Sequence, residues 1–259
     1  MKQLHRIQFP PGNPKHLNQD ESYFFLCNGG EKRRIRLHDY DQLYSTPGLY
    51  EQVVCDRLKC GSPAKVATIL DKAVAQARES VNELRVLDFG AGNGMVGEAL
   101  QKYGVSRIVG VDIIPEAAEA TERDRPAVYD AYYVADFTKL TKEEHEELKS
   151  WSLNALVTVA ALGFGDIPVR AFIEAFNLID EHGWVSFNIK ESFLDHSDKT
   201  GFSKLIRELI FSEYLDLYHL ERYRHRLSIA GEPLFYFALA GRKNAHVKEE
   251  FIERLELPS

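Results

Sequence analysis

Cysteine is scarce in this chain: Cys27, Cys55 and Cys60 are the only three in 259 residues, with no second pair at metal-ligand spacing. That odd count argues against a disulfide framework and against a structural zinc site, so no metal is expected. Excess positive charge is also missing. Lys and Arg number 32 against 39 Asp and Glu, a net charge of −7, which gives no general attraction for phosphate backbones or anionic bilayers. Neither nucleic acid nor membrane is an expected partner. The longest apolar run, A-L-V-T-V-A-A-L-G-F at residues 155–164, is about ten residues, half of what spans a bilayer. The first residues, M-K-Q-L-H-R-I-Q-F-P-P, lack the apolar stretch of a signal peptide, and with reduced cysteines the expected location is the cytoplasm.

Turn-forming residues concentrate in the first 62 positions: Pro10-Pro11-Gly12, Asn13-Pro14, Asn28-Gly29-Gly30 and Pro47-Gly48. An irregular N-terminal extension with short pieces of structure is expected there. From Pro63 the pattern turns helical, with Val66, Ile69, Leu70 and Ala73 on one face. Short apolar strands then alternate with helices. Residues 84–87, 108–111, 132–135, 155–161 and 184–189 read as strands, and Thr141 with Glu144 forms a capping box. Residues 217–227 and 234–240 have no helix between them, which predicts an antiparallel hairpin. The expected fold is α/β: a doubly wound, mostly parallel seven-stranded sheet closed by a C-terminal hairpin, with ligands beyond the carboxyl ends of the strands. Residues 1–62 form the extension, 63–242 the main domain and 243–259 a polar tail.

Residues 86–97 read V-L-D-F-G-A-G-N-G-M-V-G, ending in the literal G-x-G-x-x-G of dinucleotide sites. Asp88 sits two positions before Gly90, where a carboxylate would repel a pyrophosphate but attract, directly or through water, an ammonium group. That favours S-adenosylmethionine over a nicotinamide dinucleotide. Asp112 closes the second strand, where an acid accepts hydrogen bonds from ribose hydroxyls. Asp136-Phe137 closes the third, offering an acceptor and an aromatic edge for adenine.

These motifs, V-L-D-F-G-A-G-N-G (86–94), V-G-V-D (109–112) and A-D-F (135–137), resemble the class I S-adenosylmethionine-dependent methyltransferases. The resemblance covers roughly residues 63–242. More narrowly, residues 38–51 and 159–168 look like the small methyltransferases named after the Williams–Beuren syndrome region. The resemblance implies that Asp88, Gly90, Ala91, Gly92 and Gly94 hold the methionine part, Asp112 and Ile113 the ribose, and Asp136 and Phe137 the adenine. Ala160 and Ala161 would lie beneath the cofactor, S-adenosyl-L-methionine, whose product is S-adenosyl-L-homocysteine. Residues 38–51 would form a lid, with Tyr40 and Tyr50 at the methionine end; deleting residues 1–52 is expected to leave a folded domain that has lost turnover.

The expected function is methyl transfer to a small-molecule acceptor. A nicotinamide-dependent oxidoreductase and a non-catalytic cofactor-binding module remain the alternatives, and oligomeric state is not legible. No catalytic residue stands out, since A-A-L-G-F-G-D (160–166) replaces any Asn-Pro-Pro-Tyr-like run. Asp166 reads as the N-cap of the next helix or as a residue that positions a substrate. In E-R-Y-R-H-R (221–226), strand alternation puts Arg222, Arg224 and Arg226 on one face and Tyr223 with His225 on the other, the pattern of a charge-protected edge or of a site for an acidic substrate.

Overall fold

The computed structural model describes residues 4–11, 17–195 and 198–255. Seven strands form the main sheet: β4 (Arg85–Phe89), β5 (Arg107–Asp112), β6 (Ala131–Val134), β7 (Ala155–Thr158), β8 (Trp184–Lys190), β9 (Leu215–Leu227) and β10 (Pro233–Lys243). Their order is β6-β5-β4-β7-β8-β10-β9. The pairs from β6 to β8 are parallel, and β10 is antiparallel to both neighbours. β9 therefore runs in the same direction as β4, and its carboxyl end reaches the same edge as the glycine turn. This is the doubly wound sheet with a terminal hairpin that the strand–helix alternation predicts.

All four residues of β7 are buried, as in a strand covered on both faces. Leu156 joins one core, with α7 (Val169–Leu178) and α8 (Phe202–Phe211). Ala155 and Val157 join the other, with α3 (Ser62–Gln76) and α4 (Met95–Gln101). α5 (Pro115–Asp124) has Pro in its first turn, where the missing N–H costs nothing. The Thr141–Glu144 capping box opens α6 (Lys142–Ser150), with both reciprocal hydrogen bonds formed. Within the polar tail, α9 (Glu249–Arg254) buries Phe251 and Ile252.

The short pieces of structure expected in the N-terminal extension form, among the described residues, a compact unit. β1 (Arg6–Gln8), β2 (Tyr23–Asn28) and β3 (Glu31–Arg36) make a three-stranded antiparallel sheet. Asn28-Gly29-Gly30 is its hairpin turn, with Gly29 and Gly30 at φ 56° and 92°. α1 (Tyr40–Ser45) and the short α2 (Leu49–Glu51) follow, and the chain then widens into a π-helical turn at Gln52–Arg57. Ile7, Phe24, Ile35, Leu43, Leu49 and Val53 give this unit its own small core. Gly12 and the Asn13-Pro14 turn lie outside the described residues. No helix among the described residues is long and apolar enough to cross a membrane.

Candidate active site

Between β4 and α4 the chain passes through Gly90, Gly92 and Gly94 at φ 75°, 56° and 83°, angles that side chains resist. Gly92 also has no spare room, since a Cβ there would lie 2.5 Å from the Tyr44 hydroxyl. Gly97 answers a different need. A Cβ on it would lie 2.8 Å from the Tyr129 ring, and the Tyr129 hydroxyl donates to Asp88 Oδ2 at 2.6 Å. The last glycine of the G-x-G-x-x-G pattern thus makes room for a tyrosine.

Asp88 itself is fully buried behind the turn and is not part of the cavity wall in front of it. Burial pushes its carboxyl up to about 7, the Tyr129 hydrogen bond pulls the other way, and the charge of Asp112 adds to the rise. Its second oxygen, Oδ1, is enclosed with no hydrogen-bond partner among the described residues. Of the two contacts with a ligand ammonium expected of Asp88, direct or through water, its place behind the turn favours the one through water.

In front of the turn lies a cavity of about 1050 Å3, counting its mouth. Of the site residues expected from sequence, its wall brings together Tyr40, Tyr50, Gly90, Ala91, Gly92, Asp112, Ile113, Asp136, Phe137, Ala160 and Ala161. Gly94, like Asp88, stands outside it, and a Cβ on it would crowd Val128, Arg125 and Thr121. Asp112 Oδ2 accepts from the Gly92 amide at 2.9 Å and Oδ1 from the Ile114 amide at 3.1 Å. Each oxygen keeps a lone pair for a hydroxyl. Burial raises the Asp112 carboxyl above its ordinary value, against the three backbone amides that lower it. Asp136 is lowered by the Thr138 hydroxyl and amide, so it stands ionised at the rim. The buried Phe137 ring lies 4.6 Å from Phe89.

Ala160 adopts φ 58°, a strained angle for alanine, and its amide donates to Asn188 Oδ1 at 2.6 Å. Asn188 Nδ2 donates to the Tyr223 hydroxyl, which reaches Ser62 Oγ at 2.6 Å, and Ser62 reaches His225 Nδ1 at 2.5 Å. Burial, helped by the neighbouring Arg226 cation, holds His225 well below its usual range. A neutral imidazole with Nδ1 accepting completes a chain of donors running from amide to phenol to hydroxyl to ring.

The far wall comes from the N-terminal unit. Tyr40 and Tyr44 stack at 6.0 Å between centroids, and Tyr44 and Tyr50 lie 5.0 Å apart. Burial raises all three phenols above their ordinary value, so they serve as neutral donors. Buried Glu51 fastens this wall to the glycine turn: its Oε1 accepts from Asn93 Nδ2 and from Arg125 Nη1, each at 2.7 Å. Arg125 also donates to Glu98 at 3.0 Å.

Asp166 does not cap α7, whose N-cap is Pro168 with no side-chain bond. Its carboxylate instead meets His38 Nδ1 at 3.2 Å from Oδ2 and 3.3 Å from Oδ1. This His–Asp pair, 128 positions apart in sequence, joins the N-terminal unit to the loop after β7. A carboxylate only accepts, so Nδ1 donates, and in the neutral ring Nε2 then carries the lone pair.

A family profile described as "Methyltransferase domain" matches residues 87–187. The chain is 38% identical over 66 residues to the ribosomal protein L11 methyltransferase of Pseudoalteromonas atlantica, a stretch that is 25% of this chain and 21% of that relative. In fold it is similar to an S-adenosylmethionine-dependent methyltransferase of Anabaena variabilis, at TM-score 0.51 and 14% identity over 81% of this chain and 96% of that one. A Pyrococcus horikoshii protein proposed to be an RNA methyltransferase gives TM-score 0.51 and 14% identity over 74% and 97% of the two chains. The glycine turn, the acids closing successive strands and this sheet order give the chain the fold of the S-adenosylmethionine-dependent methyltransferases, and residues 87–187 match a methyltransferase domain.

Proposed function

We propose that the chain transfers a methyl group from S-adenosylmethionine to a small-molecule acceptor. The observation that supports this most is convergence: the ends of four neighbouring strands, β4 to β7, and the tyrosines of the N-terminal unit line one cavity. The residues present suit the cofactor. Gly90, Ala91 and Gly92 would face its methionine part, with Gly94 shaping the turn and Asp88 ordering it from behind. Asp112 and Ile113 would take the ribose, Asp136 and Phe137 the adenine. Ala160 and Ala161 would lie beneath, and Tyr40 and Tyr50 would close over the methionine end. When bound, this cofactor supplies an electrophilic methyl group on a sulfonium whose departure needs no acid.

The protein's own share is then to hold the acceptor close, exclude water and remove a proton. The buried tyrosine wall serves the second task. His38 Nε2, with Nδ1 held by Asp166, serves the third by accepting the proton that the acceptor's nucleophile releases. A wall contributed by the protein's own N-terminal unit supports a small acceptor over a polymer, in contrast to the ribosomal-protein substrate named for the Pseudoalteromonas relative.

Calorimetric titration tests this. Asp112→Ala should weaken S-adenosylmethionine by about 1.5–3 kcal/mol, roughly 10- to 150-fold, the usual worth of charged hydrogen bonds. Unchanged affinity in a folded variant removes Asp112 from the site, and binding of NAD(H) in place of S-adenosylmethionine overturns the proposal in favour of the oxidoreductase.

A further inference from the structure

Arg222 and Arg224 on β9 face solvent, as strand alternation predicts, but Arg226 is buried, at 6% exposure. The cause is a bulge. Arg224 pairs with Phe235 and Arg226 with the adjacent Leu234, so His225 is an extra residue in the ladder and Arg226 turns to the opposite face. Its Nη1 donates to the Leu227 carbonyl at 2.9 Å. Among the described residues no carboxylate forms an ion pair with it. A guanidinium carries five N–H donors and keeps its charge, and enclosing it without a counter-ion is costly.

Arg226 lines a second, smaller cavity, of about 520 Å3 counting its mouth, together with Gln19, His38, Phe164 and Tyr236. Tyr40, Tyr50, Cys60 and Ala160 belong to the walls of both cavities. Gln19 Nε2 donates to the Tyr236 hydroxyl at 2.7 Å, while its Oε1 is buried with no partner among the described residues. A second cation stands nearby: Lys190 Nζ lies 5.2 Å from the centroid of the Phe164 ring. Of the carboxylates on this side, Asp166 is engaged by His38 and Glu191 by Arg222, while the charge of Asp20 acts on Lys190. β9 lies four places from β4 in the sheet, about 19 Å at ordinary strand spacing, so Arg226 is remote from the glycine turn and its cofactor end.

We propose that this second cavity is the acceptor site and that the acceptor is a small carboxylic acid, gripped through its carboxylate by the Arg226 guanidinium. The aromatic wall covers the apolar body of such an acid, and Gln19 Oε1 accepts from a hydroxyl or amine on it. The bidentate fit of guanidinium to carboxylate supplies the missing counter-ion. Calling the bound acid an acceptor rests on the methyl-transfer proposal; the binding site itself does not.

The test loads the full chain with S-adenosylhomocysteine by calorimetric titration, then titrates benzoate and benzamide, which share a shape and differ in charge. Failure at the first titration counts against methyl transfer and leaves the second measurement, made on the unloaded chain, to judge the acid site. The expected result is benzoate binding at least tenfold more tightly than benzamide. In Arg226→Gln the two should become equal while S-adenosylhomocysteine affinity is unchanged, and Arg226→Lys should recover part of the preference. Equal binding of both probes by the wild type, binding of neither, or a preference that survives in Arg226→Gln overturns the proposal. Should Arg226→Gln not fold, the wild-type comparison and Arg226→Lys decide it.

Discussion

Asp88 shows how the same residue is legible in kind and not in place. Its position before the glycine turn marks the fold, yet the side chain serves the turn from behind through Tyr129. Its carboxyl titrates at about 7 in the folded protein against an ordinary 3.8. A raised folded value means that the native state holds the proton more tightly, so this group's contribution is fully present below about pH 3.8 and is lost as pH rises towards 7. Asp88→Asn keeps an acceptor for Tyr129 and removes the titration. The stability gap between variant and wild type should therefore grow in the variant's favour between pH 4 and 7, by a few kcal/mol at most, in order of magnitude. Denaturant melts at pH 4, 5.5 and 8 check this, and parallel pH profiles would refute it. His38 yields a second residue-scale prediction. If its Nε2 takes the acceptor's proton, His38→Gln should lower kcat by about 100-fold or more while cofactor affinity stays the same; unchanged kcat in a single-turnover assay would contradict that role. No local pattern announces this pair, because its members are brought together only by the docking of the N-terminal unit.

At the scale of elements, strand–turn–helix units are readable because each carries its own period, capping and turn residues. The buried run of β7, the Thr141 capping box and the hairpin of β9 and β10 are all of this kind. The N-terminal sheet is not. In β3, Glu-Lys-Arg-Arg-Ile-Arg, Ile35 is the one buried residue, so no alternation shows, and only Asn28-Gly29-Gly30 marks the hairpin. The bulge at His225 defeats the alternation rule in another way, since one extra residue reverses the face of everything after it. The same N-terminal unit bears the clearest element-scale prediction. Glu51 ties α2 to Asn93 and Arg125, and Tyr44 packs on Ala117 and Ala120 of α5. Glu51→Ala leaves the Arg125 guanidinium without its most buried partner and should destabilise the protein by about 3–5 kcal/mol, the usual cost of breaking a buried pair. It should also loosen S-adenosylmethionine, because the anchored wall lines the cofactor cavity. Deleting residues 1–52 removes wall and anchor together, so the remaining domain should melt at lower temperature as well as lose turnover. Thermal melts and calorimetry on both variants check these outcomes; a truncation that retains full stability and affinity would show the unit to be an accessory.

In the whole molecule, two adjoining cavities under one N-terminal wall are proposed to bring a methyl donor and a small acceptor together. Net charge −7 and a cavity walled in part by the N-terminal unit both weigh against a polymeric acceptor. The doubly wound fold alone does not distinguish this from hydride transfer or from simple binding, because many chemistries share it. The measurement that decides most directly is transfer of label from methyl-labelled S-adenosylmethionine into a cell extract, separated afterwards into small-molecule, protein and nucleic-acid fractions. Label in the small-molecule fraction, dependent on Asp112, is the predicted result. Label confined to protein or nucleic acid, or no transfer at all, would contradict it.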